Sequence, residues 1–372
     1  MGERKTKVCM VIATLERGGA EKQLALLATR LDRSRFEPSV IALSRGGPFQ
    51  EELEAAGVPC RVLGLRRWNA PIGLWRLRGC IRRQRPHVVH TWMFTANAYG
   101  RVAARLAGRP PVVVGERSVH AWKGRLRLAV DRALVRWTKV VVANSPSVAR
   151  SLESVGVPGA IIKVIPNAFD PLGGTARDID ALGDFGDAPR LVTVGRLCPP
   201  KRHDVVLRAT RRIIDAYPRA TLTIAGEGPQ RPALEALAAE LGLRDAVRMP
   251  GTVSDVPALL AESDLFLFAT DWEGLPNAVI EAMYAGAPVV ATASPGVIDV
   301  VEDGATGLLT AGVEPEALAA GALELLGSAG RMKALAKRAR GVVLERYSVE
   351  RMVGAYQALY ERLAAPQGGA RA

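Results

Sequence analysis

The chain is predicted to be an α/β protein of two doubly wound domains, each a parallel sheet covered by helices on both faces. Three observations carry this expectation. Short β-branched runs alternate with longer helical patterns, the alternation stops once in a Gly-, Asp- and Pro-rich stretch and then restarts, and 372 residues are long for one core. With 48% of the residues apolar, both cores can be filled.

KVCMVIAT (7–14) opens as a strand and AEKQLALLATRLD (20–32) follows with helical period. PSVIAL, VVHTW, PPVVVGE, KVVVANS and IKVIP continue the βαβ rhythm to residue 170, which bounds the first domain. Residues 171–189, PLGGTARDIDALGDFGDAP, have little periodicity and read as a linker. The rhythm resumes with RLVTVG, the helix RHDVVLRATRRIIDAY, ATLTIAG, PALEALAAELG, AVRMPG, DLFLFAT, NAVIEAMYAG and PVVAT, giving a second domain over 190–347. In the tail, 348–372, SVERMVGAYQALYERL is an amphipathic helix expected to pack back on the first domain.

Composition narrows the class. The longest apolar runs, VCMVIA (8–13) and LFLFA (265–269), fall far short of the roughly 18–20 residues that span a bilayer. MGERKTK resembles the start of a signal peptide, but the apolar run after it is too short and leads straight into LERGGAE, so it reads as the first strand. MGERKT also fits the loose myristoylation pattern, and chance explains that match because the strand begins at once. Cys9, Cys60, Cys80 and Cys198 show no CxxC spacing, which supports neither disulfides nor zinc and fits a reducing cytoplasm.

The net charge of +13 is uneven: residues 1–170 hold 29 Lys/Arg against 12 Asp/Glu, and 61–139 hold 18 against 2. Trp68, Trp75, Trp92, Trp122 and Trp137 lie in the same half. Basic residues mixed with Trp point to an anionic membrane surface, where each cation contributes about 1 kcal/mol. An arginine-rich solvated surface is the competing reading, and nucleic acid a weaker one that is not carried forward.

Open parallel sheets bind ligands at the carboxyl ends of their strands, so function is expected in the loops there. Gly18-Gly19 precedes the first long helix, where backbone can approach an anion closely; a turn glycine needed only for sterics is the alternative. Neither GxGxxG nor GxxxxGK[ST] occurs. VGRLCPPK puts Arg196 past a strand and Lys201 five residues on, a fork and a point charge able to bracket a diphosphate, or else two solvated cations.

In EGLPNAVIE (273–281), Pro276 suits a first helical turn, which leaves Glu273 in the loop and Glu281 inside the helix. A spacing of eight at about 100° per residue does not keep both on one stripe. Both carboxylates could instead face the mouth of an interdomain cleft, with the amides of Leu275 and Asn277 between them. The bland alternative is a loop charge and a solvated helix residue. His87 and His90 stand three apart on a strand, hence on opposite faces, and do not share a metal. His90 is read as a donor to a sugar hydroxyl or a structural bond to a carbonyl. His120 and His203 receive no role. The DID at 178–180 has no strand before it and is not read as a metal site.

RGGAEKQL, VVHTWMFTANAYGRVAARLAG, VVANSPSVA, VIPNAFD, VGRLCPPKRHD, IAGEGP, TDWEGLPNAVIEAMYAGAPVVAT and VVEDGATGLL, in this order, resemble glycosyltransferase family 4, retaining GT-B enzymes with an E-x7-E signature. The resemblance covers nearly the whole chain. It implies a nucleotide-sugar donor site mainly in the second domain, with Arg196 and Lys201 on the diphosphate, Glu281 on the ribose and Glu273 on the transferred sugar. The Gly274, Leu275, Pro276 and Asn277 segment would reach the sugar or phosphate, Gly18 and Gly19 would meet the diphosphate from the first domain, and His90 would lie near the reacting sugar. It implies no cofactor and no metal, and a first domain that supplies most contacts to the acceptor. Departures are Trp92 in HTW where a second His is common, NAF (167–169) for NGV, Asp299 for Glu, and Ser294-Pro295 where Gly-Gly is frequent.

The reaction so implied is sugar transfer to an acceptor hydroxyl with retention, without a covalent nucleophile. An epimerase on the same fold, or a catalytically silent binding or membrane-associated protein, are the rival readings. The basic, Trp-containing first half favours a lipid-linked or surface-glycan acceptor at the cytoplasmic face of the inner membrane, contacted through WKGRLRLAVDRALVRWTK (122–139).

Overall fold

The computed structural model describes residues 5–66, 70–120, 123–171 and 175–365. The described residues form two compact units, one from residues before 169 and after 348, the other Phe169–Ser348.

In the first unit the order is β1 (Thr6–Thr14), α1 (Gly19–Arg30), β2 (Phe36–Arg45), α2 (Pro48–Ala55), β3 (Cys60–Val62) and α3 (Ala70–Gln84). Then come β4 (Val88–Trp92), α4 (Met93–Leu106), β5 (Val112–Glu116), α5 (Arg125–Leu134), β6 (Val140–Ala143), α6 (Pro146–Ser154) and β7 (Ile162–Val164). All strands are parallel, in the order β3-β2-β1-β4-β5-β6-β7. Val8 through Ile12 of β1 are buried without alternation, as a central parallel strand covered on both faces must be. At α6, Ser145 accepts the Val148 amide at 3.2 Å and Pro146 takes the first helical position, so the sequence itself sets where the helix begins.

The second unit runs β8 (Arg190–Val194), α7 (His203–Ala216), β9 (Thr221–Ala225), α8 (Arg231–Glu240), β10 (Val247–Gly251) and α9 (Val256–Glu262). It continues with β11 (Leu265–Phe268), α10 (Asn277–Ala285), β12 (Val289–Thr292), β13 (Leu308–Thr310), α11 (Pro315–Leu326) and α12 (Ala329–Arg346). The parallel sheet has the order β10-β9-β8-β11-β12-β13. One core joins Leu207, Ile213, Leu318 and Leu325 to Leu222 and Leu267; the other joins Val279, Met283 and Val343 to Phe266 and Phe268. Neighbouring residues of β11 thus feed opposite faces, and the sheet is doubly wound.

The last helix, α13 (Val349–Ala364), belongs to the first unit. Its buried Val349, Met352, Val353, Tyr356, Leu359 and Tyr360 form one apolar stripe, which packs with Phe36 and Trp92 in the core of that unit. This is the crossing back expected of the tail helix.

The segment 171–189, expected as a linker, differs: its described part is built into the second unit. Leu182 is 2% exposed within the core, Phe185 meets Tyr217 edge-on, and Arg177 pairs with Asp264 at 3.4 Å. Arg340 donates to the carbonyls of Tyr284 (2.8 Å), Ala285 (3.1 Å) and Arg177 (2.9 Å), and the Arg177 amide also donates to Ala285. The Arg340 guanidinium thus closes the carbonyl end of α10, where a helix favours cations, and the Arg177 backbone amide caps the same end. Gly, Asp and Pro made the segment look like a tether, but Ile179, Leu182 and Phe185 on the core, with Arg177 on Asp264, are enough to strap it down. Residues 172–174, Trp68, Trp122 and 366–372 lie outside the described residues.

Candidate functional site

In the second sheet the strand order reverses between β8 and β11, and the loops leaving these strands open a crevice at their carboxyl ends. The loop after β8 carries Arg196 and Lys201; the loop after β11 carries Glu273 through Pro276. The first loop is clamped by the turn after β9. A Cβ on Gly226 (φ +149°) would lie 1.9 Å from the Gly195 carbonyl oxygen, and one on Gly228 would lie 2.2 Å from that of Leu197. Only glycine permits this backbone crossing. The Leu197 amide donates to Glu227 at 2.9 Å and the Gln230 amide to Leu197 at 3.1 Å.

The two loops are joined across the reversal point. Pro200 accepts from the Thr270 hydroxyl (2.7 Å) and the Asp271 amide (2.9 Å). Arg202, left-handed at φ +37° and N-cap of α7, pairs with Asp204 and Asp271, each at 3.2 Å. Lys201 forms an ion pair with Glu273 and sits 5.5 Å from the Phe268 ring centroid. The cation assigned to a diphosphate and the carboxylate assigned to a sugar thus hold each other. Arg196 is exposed and makes no ion pair among the described residues.

The loop after β12 supports EGLPN from beneath. Glu273 donates its amide to the Pro295 carbonyl at 2.9 Å, and a Cβ on Gly296 (φ +85°) would lie 2.7 Å from the Glu273 carbonyl oxygen. The Ser294-Pro295 departure leaves this support intact, because it needs only a carbonyl. α10 begins one residue after Pro276, its N-cap, and ends at left-handed Gly286 (φ +87°). The amides of Gly274 and Leu275 are buried and donate to no carbonyl among the described residues, so the amino end of α10 offers donors to an anion or hydroxyl. Glu281 is the fifth residue of α10 and half-buried, one turn below.

Beside Lys201, His203 is 1% exposed, and its ring faces the backbone of Gly195 and Arg196. Burial, then the Lys201 charge, lowers its pKa to about 4. It is neutral at physiological pH and adds no charge beside the two cations.

In the first unit the order reverses between β1 and β4. Gly18 is the extended N-cap of α1 and Gly19 its first residue; both are exposed. The Glu21 carboxylate lies over this helix end: it accepts from the Thr14 hydroxyl at 3.3 Å, and a Cβ on Gly18 would come 2.3 Å from its Oε2. The missing Cβ at Gly18 is what makes room for this carboxylate. His90, expected near the reacting sugar, is instead fully buried. Its Nδ1 lies 2.7 Å from the Tyr360 hydroxyl, and its ring packs on Trp92 (4.8 Å) and Tyr356 (5.3 Å). Burial, then the Arg117 charge, holds its pKa well below the ordinary value. Arg117 stacks 4.1 Å over Trp92 and donates to Tyr356 and Asn167, each at 2.7 Å. The strand does aim His90 at one face of the sheet, but α13 covers that face.

At the end of β5, Lys123 reaches Glu116 (3.1 Å) and Asp131 (2.8 Å), Arg101 pairs with Asp131 at 2.5 Å, and His120 lies 4.0 Å from Glu116. Glu116, His120 and Asp131 have metal-ligand spacing, but the buried ammonium of Lys123 already bridges the two carboxylates. Sequence reasoning missed this cluster, and no local motif marks it.

Comparison with known proteins agrees with this arrangement. The model of Glycosyltransferase Family 4 matches residues 17–171, and that of Glycosyl transferases group 1 matches 175–342. The chain is 27% identical to the lipopolysaccharide core biosynthesis glycosyltransferase LpsE of Rhizobium meliloti, over 91% of this chain and 94% of that one. It is 28% identical to the 2-deoxystreptamine glucosyltransferase of Streptomyces kanamyceticus, over 92% and 89%. It is 27% identical to the UDP-Gal:alpha-D-GlcNAc-diphosphoundecaprenol alpha-1,3-galactosyltransferase of Escherichia coli, over 70% and 72%. In structure it is similar to Anabaena HepE, solved with UDP and glucose, at a TM-score of 0.85 and 22% identity over 96% and 100% of the two chains. The chain is a glycosyltransferase of family 4, with the two parallel-sheet domains of the GT-B fold.

Proposed function

We propose that this glycosyltransferase is a retaining, metal-independent hexosyltransferase. In this reading it moves a sugar from a nucleoside diphosphate to a hydroxyl of a lipid-linked or growing surface-glycan acceptor, working peripherally at the cytoplasmic face of the membrane. The observation that carries it is the Lys201–Glu273 ion pair across the β8/β11 reversal, beside the amino end of α10.

An arriving diphosphate competes with Glu273 for Lys201. When Lys201 and Arg196 turn to the phosphates, the Glu273 carboxylate is released to accept hydrogen bonds from sugar hydroxyls. Donor binding and sugar recognition are thereby one exchange. Glu281 takes the ribose hydroxyls, while the Gly274 and Leu275 amides, with the segment through Pro276 and Asn277, face the sugar or phosphate. As the anomeric bond breaks, negative charge grows on the leaving phosphate, and fixed cations and a helix end stabilise it without a metal. The leaving phosphate deprotonates the acceptor on the same face of the sugar, which gives retention. With Glu21 swung aside, the amino end of α1 at Gly18 and Gly19 is open to an anion. His90 has no direct contact with sugar in this scheme. The relatives in lipopolysaccharide core synthesis and on a diphosphoundecaprenol acceptor support a lipid-linked acceptor.

Thermal shift against UDP-, GDP- and ADP-sugars tests the donor class: one series should raise the melting temperature, with about 2.7 kcal/mol of stabilisation at 100-fold over Kd. No shift with any donor would favour a silent protein. Free sugar released without an acceptor would favour an epimerase, and an inverted product anomer by NMR would refute retention.

A further inference from the structure

On the outer face of the first unit, α3, α4 and α5 border a shallow, open apolar groove of about 550 Å³, lined by Leu74, Tyr99, Val102, Val130 and Leu134 among others. This is within the roughly 300–1,000 Å³ range of small-molecule sites. No residue of α5 is buried, and Ile72 (52% exposed), Trp75 (58%) and Leu126 (79%) stand out from the same helices. Along each helix the apolar lining gives way to arginine. Arg78, Arg82 and Arg85 line one hollow toward the end of α3, and Arg105, Arg109 and Arg136 line another where α4 and α5 end. The only acidic residues of 61–139, Glu116 and Asp131, are both engaged by Lys123 and Arg101. The outward charge of this face is therefore cationic.

We propose that this face seats an anionic phospholipid of the bilayer, with one acyl chain in the α3–α4–α5 groove and its phosphate on the flanking arginines. The proposal rests on the membrane reading above and deepens it, from attraction to a charged surface to a built site for a single lipid. A hydrocarbon chain suits the groove because its lining has almost no polar groups to pair, and the arginine fork suits phosphate. The exposed Trp75 and Leu126 lie in the interfacial zone that such seating creates.

The test uses the full chain with phosphatidylglycerol and phosphatidylcholine vesicles, and with monomeric dihexanoyl phosphatidylglycerol against its chain-free head group, glycerophosphoglycerol. The wild type should float with the anionic vesicles only, and the short lipid should bind at least about tenfold tighter than the head group. Val102→Asp should abolish that chain advantage and weaken vesicle binding. The pair Arg105→Ala and Arg136→Ala should weaken lipid and head group alike. A UDP-sugar thermal shift equal to wild type shows that each variant is folded. If the wild type ignores anionic vesicles, the membrane reading fails and the groove with it. If it floats but Val102→Asp has no effect, the groove alone fails. A dimer in sedimentation that Val102→Asp dissociates would also overturn the proposal, since the occupant is then a second copy.

Discussion

Each sheet reverses its strand order once, between β1 and β4 in the first unit and between β8 and β11 in the second, yet the two crevices are finished differently. At the second, backbone crossings at Gly226, Gly228 and Gly296 press four loops together in two pairs and leave Arg196, Lys201 and Glu273 at the rim. At the first, the strand histidine is closed in by Trp92, Tyr356 and Tyr360, and a glutamate overlies the helix end. Topology places a crevice, and the residues packed around it decide which side chains can meet a ligand. A polar residue near a switch point is not thereby a ligand residue.

The sharpest break in this comparison is Lys201→Ala. In the proposed scheme it removes one preorganised donor to the leaving group, and the turnover number should fall about 10²–10³-fold, or roughly 2.7–4 kcal/mol, in an assay of nucleotide release. Acidification acts on stability at nearly the same scale. The unfolded chain binds a proton on His203 near pH 6.5, whereas the folded unit binds it only near pH 4. Stability from this group is therefore full above pH 6.5 and is lost as pH falls toward 4, by up to about 3 kcal/mol. Hydrogen exchange of α7 between pH 7 and 4.5 should show it, and His203→Leu should flatten the profile. His90, lowered in the same direction, gives the first unit a loss of the same sign.

Glu281→Ala should weaken nucleotide binding by roughly 1.5–3 kcal/mol, the range for hydrogen bonds to a charged group, while Glu273→Ala lowers transfer more than binding. Calorimetry beside steady-state kinetics separates the two. Gly228→Ala should cost about 1–3 kcal/mol of stability by forcing the crossing at Leu197 apart, read from denaturant midpoints. The smallest effect belongs to His90→Phe, which replaces a buried ring in an aromatic cluster and should change the transfer rate by less than about fivefold. A loss comparable to that of Lys201→Ala would restore His90 to the chemistry.

The two-domain α/β plan was legible because parallel strands buried on both faces read as continuous apolar runs, and DLFLFAT or KVVVANS cannot hide that. β3 and β13, three residues each, are too short to show a period, and 171–189 hid its packing behind a composition typical of tethers. EGLPN was legible for a similar local reason: Pro276 marks the start of α10, and the chain before it must be loop. Burial of His90 was not, because it depends on Tyr356 and Tyr360, some 270 residues away in sequence. The Lys201–Glu273 pair and the Lys123 cluster are likewise products of sheet order, which no local spacing encodes.

The central claim is that the donor diphosphate is held at the β8/β11 reversal of the second unit. Equilibrium titration of UDP into the wild type, Lys201→Ala and His90→Phe tests it most directly. The account predicts at least a tenfold weaker Kd for Lys201→Ala and an unchanged Kd for His90→Phe. Unchanged UDP binding in a folded Lys201→Ala protein would contradict it.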